Sequence, residues 1–194
     1  MPAGIRWIAA TFALGALIAG IAAVMARAPE NEFPLVFSGG HEIGKNDFGR
    51  PVVLIAAALG VKPDQFREAF SGVTPAKGRK PSQEEARQNK AALMRVLSPL
   101  GVSNERLDEV SDYYRYRPQK GELWRTSPAK GYAVMEGGKV AKIVITHGGS
   151  GYSTPPTVRI QGMESIRLRA ELALSKELSK NGAVRAVVEE RVGD

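Results

Sequence analysis

Residues 146–158, THGGSGYSTPPTV, place a histidine, a glycine-rich run and a serine between two glycines in one short loop. Three kinds of site use such residues. A phosphate-binding loop uses glycine backbone N–H groups ahead of a helix, a hydrolase uses a serine at a tight turn, and a metal site uses the histidine ring. Each kind of site also needs further residues at a fixed spacing, and these can be sought in the sequence.

The phosphate-loop and serine-hydrolase patterns are both incomplete. No Gly-Lys pair follows the glycines, and Tyr152 with two prolines leads into a strand rather than a helix. Ser150 lies in Gly-Gly-Ser-Gly-Tyr, so the glycine after it comes one position too early for a nucleophile elbow. His147 is three residues from Ser150, but no acidic residue is placed to orient it. The sequence therefore predicts no catalytic residue in this loop.

Residues that bind metals are scarce in this chain. It has no cysteine, which excludes disulfides, thiolate metal sites and cysteine nucleophiles, and only two histidines. His41, Glu42, Asp47 and His147 offer polar ligands, but their spacing matches no standard metal site. We expect no metal and no cofactor. The alternative is an extracytoplasmic hydrolase or metal-dependent enzyme that uses His41 and His147, which requires the two loops to meet.

The best candidate for a binding surface is aromatic and basic. Residues 113–124, YYRYRPQKGELW, interleave aromatic rings with arginines, a composition that suits stacking against carbohydrate or nucleic acid. Further arginines are expected to face outward on the predicted strands that follow. The predicted binding residues are Tyr113, Tyr114, Arg115, Tyr116, Arg117, Trp124, Arg159, Arg167, Arg169 and Arg185. A competing interpretation buries the rings of Tyr114 and Trp124 between helices and sheet.

The N-terminal half has the period of helices. A short apolar segment at residues 33–37 precedes the first of them. Four helices are predicted: residues 51–59, residues 63–70, one from Ser82 that Pro99 and Gly101 end, and one from Ser103. Ser82 and Glu85 form a capping box, and the first helix is apolar almost all round and should be buried.

From Gly131 the apolar residues recur with a period of two, which is typical of strands. A Gly-Gly turn at residues 137–138 joins the first two strands, and residues 157–160 form a short third one. The residues expected on the inner face of the next strand are Ile166, Leu168, Ala170, Leu172 and Leu174. A last strand begins near Ala183.

Together these patterns predict an α+β fold. A small N-terminal helical subdomain, residues 29–117, is followed by an antiparallel β module of four to five strands, residues 118–194. The join between them falls in the aromatic and basic segment that is the candidate binding surface.

The loop and its flanking strands carry the pattern Gly-Ser-Gly-Tyr, three residues, then Pro-Thr-Val at residues 156–158. This pattern resembles a β module of bacterial surface and secreted proteins and of phage structural proteins, over about residues 138–190. The resemblance implies a structural or adhesive role without catalytic residues. The predicted structural loop residues are Gly149, Ser150, Gly151, Tyr152, Pro155 and Pro156. The whole chain resembles small exported bacterial proteins of uncharacterised function.

Residues 52–70 resemble a helix-turn-helix, with Gly60 at the turn. This resemblance implies a DNA-binding protein in which Lys62, Gln65 and Arg67 face the major groove. Val52 and other apolar residues stand where that family usually has polar ones. DNA binding is therefore kept as a further alternative, and no nucleic acid is expected as a partner.

Residues 1–28 predict export. Arg6 precedes an uncharged run at residues 7–25, and Ala26-Arg27-Ala28 forms a small-residue cleavage site. The run is long enough, at about 1.5 Å per residue, to span a bilayer as an anchor if it is not cleaved. We expect the remainder to lie outside the cytoplasm, as a periplasmic, envelope-anchored or secreted protein, with membrane contact only through residues 7–25.

The excess positive charge lies towards the C-terminus. The formal net charge is +7, of which +4 falls in residues 118–194, where 12 basic residues face 8 acidic ones. Such a bias favours attraction to polyanions. The sequence therefore predicts a non-enzymatic envelope or secreted interaction or structural protein, whose partner is an envelope polymer or another exported protein.

Overall fold

A computed structural model describes residues 31–74, 76, 80–115 and 121–190. The predicted signal or anchor at residues 1–28, and the predicted binding residues Tyr116 and Arg117, lie outside the described residues. Within these ranges, no helix has both the length and the apolar character needed to cross a bilayer.

The described residues form four α-helices and a six-stranded antiparallel sheet with the strand order β3-β2-β1-β4-β5-β6. The mixed α+β class is confirmed, whereas the predicted four to five strands are too few. The elements are β1 (Glu32–Ser38), α1 (Val52–Leu59), α2 (Pro63–Ser71), α3 (Gln83–Leu97), α4 (Asn104–Tyr113), β2 (Lys130–Glu136), β3 (Lys139–His147), β4 (Thr157–Ile160), β5 (Met163–Ala173) and β6 (Ala183–Glu189).

The additional strand is β1, which the sequence shows only as a short apolar segment. Leu35 is buried in the sheet core, while Pro34 and Val36 face outward. Val36 is the register partner of Arg159 on β4, and Pro34 that of Tyr132 on β2. Thus β1 lies in the centre of the sheet although it precedes all the helices. The segment predicted as the helical subdomain therefore contributes a strand to the β module.

The helices are set by their caps and pack around a core of their own. Six of the eight residues of α1 are buried, and Leu54 is fully enclosed. Ser82 caps α3, where the Glu85 N–H donates to Ser82 Oγ at 3.1 Å and the Ser82 N–H donates to Glu85 Oε2 at 2.7 Å. The core residues contributed by the other helices include Phe66, Leu97, Leu107 and Val110.

The sheet encloses a second core and curls so that its outer strands approach each other. The Val184 N–H, on β6, donates to the carbonyl of Gly148, just after β3, at 2.8 Å. Ala133, Ile160 and Ala170 lie in this core. The prediction that Leu174 faces inward is wrong: 49 % of this residue is exposed. β5 ends at Ala173, after a register shift, so the alternation of its side chains does not extend to position 174.

Candidate functional site

The glycine-rich loop packs closely against the segment that precedes β2. Gly149 and Gly151 have φ angles of +66° and +84°. A Cβ atom on either glycine would meet backbone, 2.3 Å from the carbonyl oxygen of Ser127 and 2.7 Å from that of Arg125 respectively. Both positions therefore need glycine. Ser150 is buried, and its backbone exchanges two hydrogen bonds with Ser127.

The rest of the loop is also held by the chain around it. Tyr152 is buried, and its hydroxyl accepts a hydrogen bond from the Ala129 N–H at 3.0 Å. Pro156 is buried beside Gly40, while Pro155 is exposed. These contacts give the loop a role in joining strands and leave its serine inaccessible to a substrate.

The two histidines lie in different environments. The His41 ring stacks on Tyr152, with ring centroids 5.1 Å apart, and lies 6.0 Å from Trp124. His41 Nε2 is buried and has no hydrogen-bond partner within the described residues. Burial lowers the pKa of His41, against the opposing effect of Glu42, so the ring is neutral near pH 7. His147 is exposed.

His147 contacts a serine that the sequence did not suggest. His147 Nε2 lies 3.2 Å from Ser127 Oγ, and Ser127 and His41 line the same small cavity of about 180 Å³. Ser127 and His147 are 20 positions apart in the sequence, so no local motif indicates that they are in contact. In the part of the chain that the structure describes, no carboxylate forms an ion pair with either histidine and no three metal-ligating side chains cluster.

The junction aromatics belong to the core. Tyr114 is 2 % exposed and Trp124 is 3 % exposed. The indole Nε1–H of Trp124 donates to the Gly151 carbonyl at 2.8 Å. The Asn181 amide donates to the Tyr114 hydroxyl at 2.8 Å and to the Leu54 carbonyl at 2.7 Å. These two rings therefore join helices to sheet and present no face on which a ligand could stack.

The neighbouring residues of the same segment are more accessible. Tyr113 is partly buried, edge-on to Tyr114 with ring centroids 5.0 Å apart. The guanidinium of Arg125 lies 5.2 Å from the centroid of the Tyr113 ring. Arg115 is exposed and forms an ion pair with Asp112. Among its described residues, the segment 113–124 thus has one partly accessible ring, that of Tyr113, and one cation, Arg115, which Asp112 neutralises.

Four predicted arginines share the outer face of the sheet, which we term the arginine face: Arg159 on β4, Arg167 and Arg169 on β5, and Arg185 on β6. Val158 pairs with Leu168 and both turn inward, so Arg159 and Arg167, the next residue on each strand, face outward beside that pair, at the point where the register between β4 and β5 shifts. Arg169 is the partner of Thr157 on the other side of that pair.

The arginine face is only partly neutralised. Glu171 forms ion pairs with Arg169 and Arg185, at 3.3 and 3.1 Å. Arg159 and Arg167 form no ion pair with any described residue. Like charges on neighbouring strands destabilise a sheet. The face also has an apolar component that the sequence did not suggest, since the partners of Arg159 and Arg169 are the exposed valines Val36 and Val188.

Of the three residues that the helix-turn-helix resemblance assigns to the major groove, the side chains of Gln65 and Arg67 are engaged within the chain, and Lys62 is exposed. Gln65 Oε1 accepts a hydrogen bond from the Lys62 N–H at 2.8 Å, which caps α2. Arg67 donates to Asp47 at 2.7 Å and to Asp64 at 2.8 Å. Base contacts by Gln65 and Arg67 would require these bonds to break.

Comparison of the chain with protein-family models, with curated proteins and with solved structures finds no match. The resemblances to a surface β module and to a helix-turn-helix therefore stay predictions. The function is argued below from contacts, burial and charge alone.

Proposed function

We propose that the protein is a non-enzymatic, exported interaction protein of the envelope or extracellular space, which binds a polyanionic polymer through the arginine face. The observation that carries this proposal is the outward pair Arg159 and Arg167, which have no carboxylate partner among the described residues. Two like charges on neighbouring strands favour an anionic group placed between them, because it interacts with both cations.

The chemistry of the pair suits phosphate or carboxylate groups. A guanidinium presents its N–H donors in a planar fork that matches both anions. Arg169 and Arg185 carry further charge beyond the pair, although Glu171 holds part of it. Val36 and Val188 offer apolar contact to the backbone of a polymer.

The spacing of the arginine face favours a repeating partner over a single small anion. Neighbouring strands lie about 4.8 Å apart, and residues two apart on one strand lie about 6.8 Å apart. Arg167 and Arg169 are separated by the second of these distances, and Arg159 lies on the neighbouring strand. A linear polymer with charges at such intervals contacts several arginines at once, which multiplies the affinity of each contact.

The test compares two doubly substituted full chains. Arg159→Gln/Arg167→Gln removes the unpaired arginines, and Arg87→Gln/Arg95→Gln removes two exposed arginines from α3 as the matched control. With long-chain inorganic polyphosphate at low salt, we expect the first variant to bind about tenfold more weakly than the wild type. The control should bind within about twofold of the wild type. Equal losses in both variants, or no binding by the wild type, would refute the proposal.

A hydrolase is the second candidate, favoured by the 3.2 Å contact between Ser127 Oγ and His147 Nε2. Such a pair can activate the serine hydroxyl, although a carboxylate normally orients the histidine. Ester hydrolysis by the full chain that is lost in Ser127→Ala and retained in Ser150→Ala would establish this function. It would also contradict the non-enzymatic proposal.

A further inference from the structure

A cleft of about 480 Å³ opens between the helices, away from the arginine face. Its apolar wall is formed by Ile55 of α1, Phe66 and Phe70 of α2, and Leu93 of α3. Its volume lies in the range of about 300–1,000 Å³ that is typical of sites for small molecules. The sequence indicated only that these helices pack together.

One cation in this cleft lacks a counter-ion among the residues that the structure describes. The guanidinium of Arg50 lies 3.9 Å from the centroid of the Phe70 ring, and its Nη1 donates to the Phe48 carbonyl at 3.2 Å. Within residues 31–74, 76, 80–115 and 121–190, no carboxylate forms an ion pair with Arg50. Burial lowers the pKa of Arg50, as expected for a cation that has lost part of its hydration. A guanidinium has five N–H donors, so the described residues leave most of the bonding capacity of Arg50 unused.

The loop that carries Arg50 is fixed before any ligand arrives. Asp47 is buried and accepts two hydrogen bonds from Arg67, at 2.7 and 3.3 Å. The Asp47 N–H donates to the Gly44 carbonyl at 2.9 Å, and the Arg50 N–H donates to the Asp47 carbonyl at 3.0 Å. Little conformational entropy is therefore lost when Arg50 engages a ligand.

In the same loop, Phe48 has a strained backbone conformation and an exposed ring. Phe48 has a φ angle of +47°, which non-glycine residues rarely adopt, and its side chain lies at the rim of the cleft. It is also 78 % exposed, so the fold does not gain the stability that burial of the ring would provide. Strained, exposed aromatic rings beside a cleft are characteristic of ligand-binding sites.

We propose that this cleft binds a small monocarboxylic acid with an apolar body. The carboxylate forms charge-assisted hydrogen bonds with Arg50, and the apolar body lies against Ile55, Phe66 and Phe70 under the exposed ring of Phe48. A single negative charge is specified because Arg115, the other arginine among the described residues of the lining, is already paired with Asp112. The adjacent Asp112 carboxylate repels ligands of higher charge.

Octanoate and octanol share an apolar chain and differ in the anionic group, so their binding to the full chain isolates the role of Arg50. We expect the wild type to bind octanoate about tenfold more tightly than octanol, because the charge-assisted bonds form only with the acid. Arg50→Met should abolish this preference while retaining octanol binding. Arg87→Met, on the exposed side of α3, is the matched control and should retain the preference.

A second variant tests the location independently of Arg50. Ser111 lines the cleft and is exposed, so Ser111→Trp fills the cleft and should abolish binding of both compounds. The proposal is wrong if the wild type binds neither compound or both equally, if Arg50→Met keeps the preference, or if Ser111→Trp leaves binding intact. A short apolar peptide with a free C-terminal carboxylate that binds more tightly than octanoate would also overturn the assignment to a small acid.

Discussion

The helix–sheet junction and the arginine face contain residues predicted together as one binding surface, and the structure separates them. At the junction, Tyr114 and Trp124 are buried and their polar atoms are paired with Asn181 and Gly151. On the arginine face, Arg159 and Arg167 are exposed, and no ion pair joins them to a described residue. The aromatic rings thus hold the fold together, while the cations remain available to a partner.

This difference predicts that stability and binding can be changed separately. Substitutions at the junction remove buried contacts and should lower the free energy of unfolding. The molecules that remain folded should bind polyanions with unchanged affinity. Substitutions on the arginine face should weaken polyanion binding and change the free energy of unfolding little. The predictions below test each side of this comparison, beginning with the largest expected effect.

Trp124→Ala should lower the free energy of unfolding by about 4 kcal/mol, because it leaves a cavity between the two cores and leaves the Gly151 carbonyl without its indole donor. Trp124→Phe keeps a ring and should lose about half as much. Chemical denaturation of both variants measures the difference. A loss below about 1 kcal/mol in Trp124→Ala would show that the junction is not a principal support of the fold.

Tyr114 makes the junction sensitive to alkali. Burial raises the pKa of Tyr114 to about 12, against the opposing hydrogen bond from Asn181. The unfolded chain, in which a tyrosine ionises near pH 10, therefore loses this proton before the folded protein does. Between pH 10 and about 12, the free energy of unfolding should fall by about 3 kcal/mol.

Tyr114→Phe provides the control for this alkaline loss. At pH 7 it should cost about 1 kcal/mol, because the Asn181 amide loses one acceptor. Between pH 10 and 12 it should lack the decline attributed to Tyr114, so the stabilities cross and the variant becomes the more stable protein, by about 2 kcal/mol near pH 12. Parallel pH profiles for the two proteins would contradict the buried position of the hydroxyl.

His41 makes the same region sensitive to acid. Its pKa is lowered mainly by burial, so the unfolded chain binds the proton more readily than the folded protein does. The stability contributed by neutral His41 is complete above about pH 6.5 and is lost as the pH falls through the lowered pKa. His41→Phe keeps a ring against Tyr152 and should flatten the decline in stability between pH 7 and 5. Thermal unfolding at several pH values measures this decline, and the substitution His147→Gln, at an exposed histidine, is the control. An unchanged slope in His41→Phe would contradict this account.

On the arginine face, the expected change in stability is small and of opposite sign. Arg159→Gln/Arg167→Gln relieves repulsion between neighbouring strands and should raise the free energy of unfolding by a few tenths of a kcal/mol at low salt, about 0.5 at most. The gain should vanish at high salt because the charges are exposed. A loss of more than about 1 kcal/mol would show that these arginines support the fold instead.

The sequence predicts side-chain positions that follow from unbroken alternation along one strand, and it fails at Leu174, beyond the register shift in β5. The outward positions of Arg167 and Arg169 follow from a period of two along one strand. Strand β1 is not predicted, because its central position is set by pairing with β2 and β4, which are more than 90 residues away. Pro34 is also unusual inside a strand.

The candidate sites were only partly predictable for the same reason. The burial of Tyr114 depends on Asn181, which is 67 residues away, and the contact of Ser127 with His147 spans 20 residues. The cleft beside Arg50 is lined by residues of four helices, whose packing angles no local pattern determines. Composition indicates which residue types suit binding, but it does not determine which of those residues the fold buries.

The most direct test of the division between junction and arginine face is the salt dependence of polyphosphate binding. The slope of log K against log salt concentration counts the cations that contact the polymer, by roughly one per contact. We predict that the slope falls in magnitude by about two in Arg159→Gln/Arg167→Gln and is unchanged in Trp124→Phe. An unchanged slope in the arginine variant, or an equal fall in Arg87→Gln/Arg95→Gln, would contradict the central claim that the polyanion binds at this face.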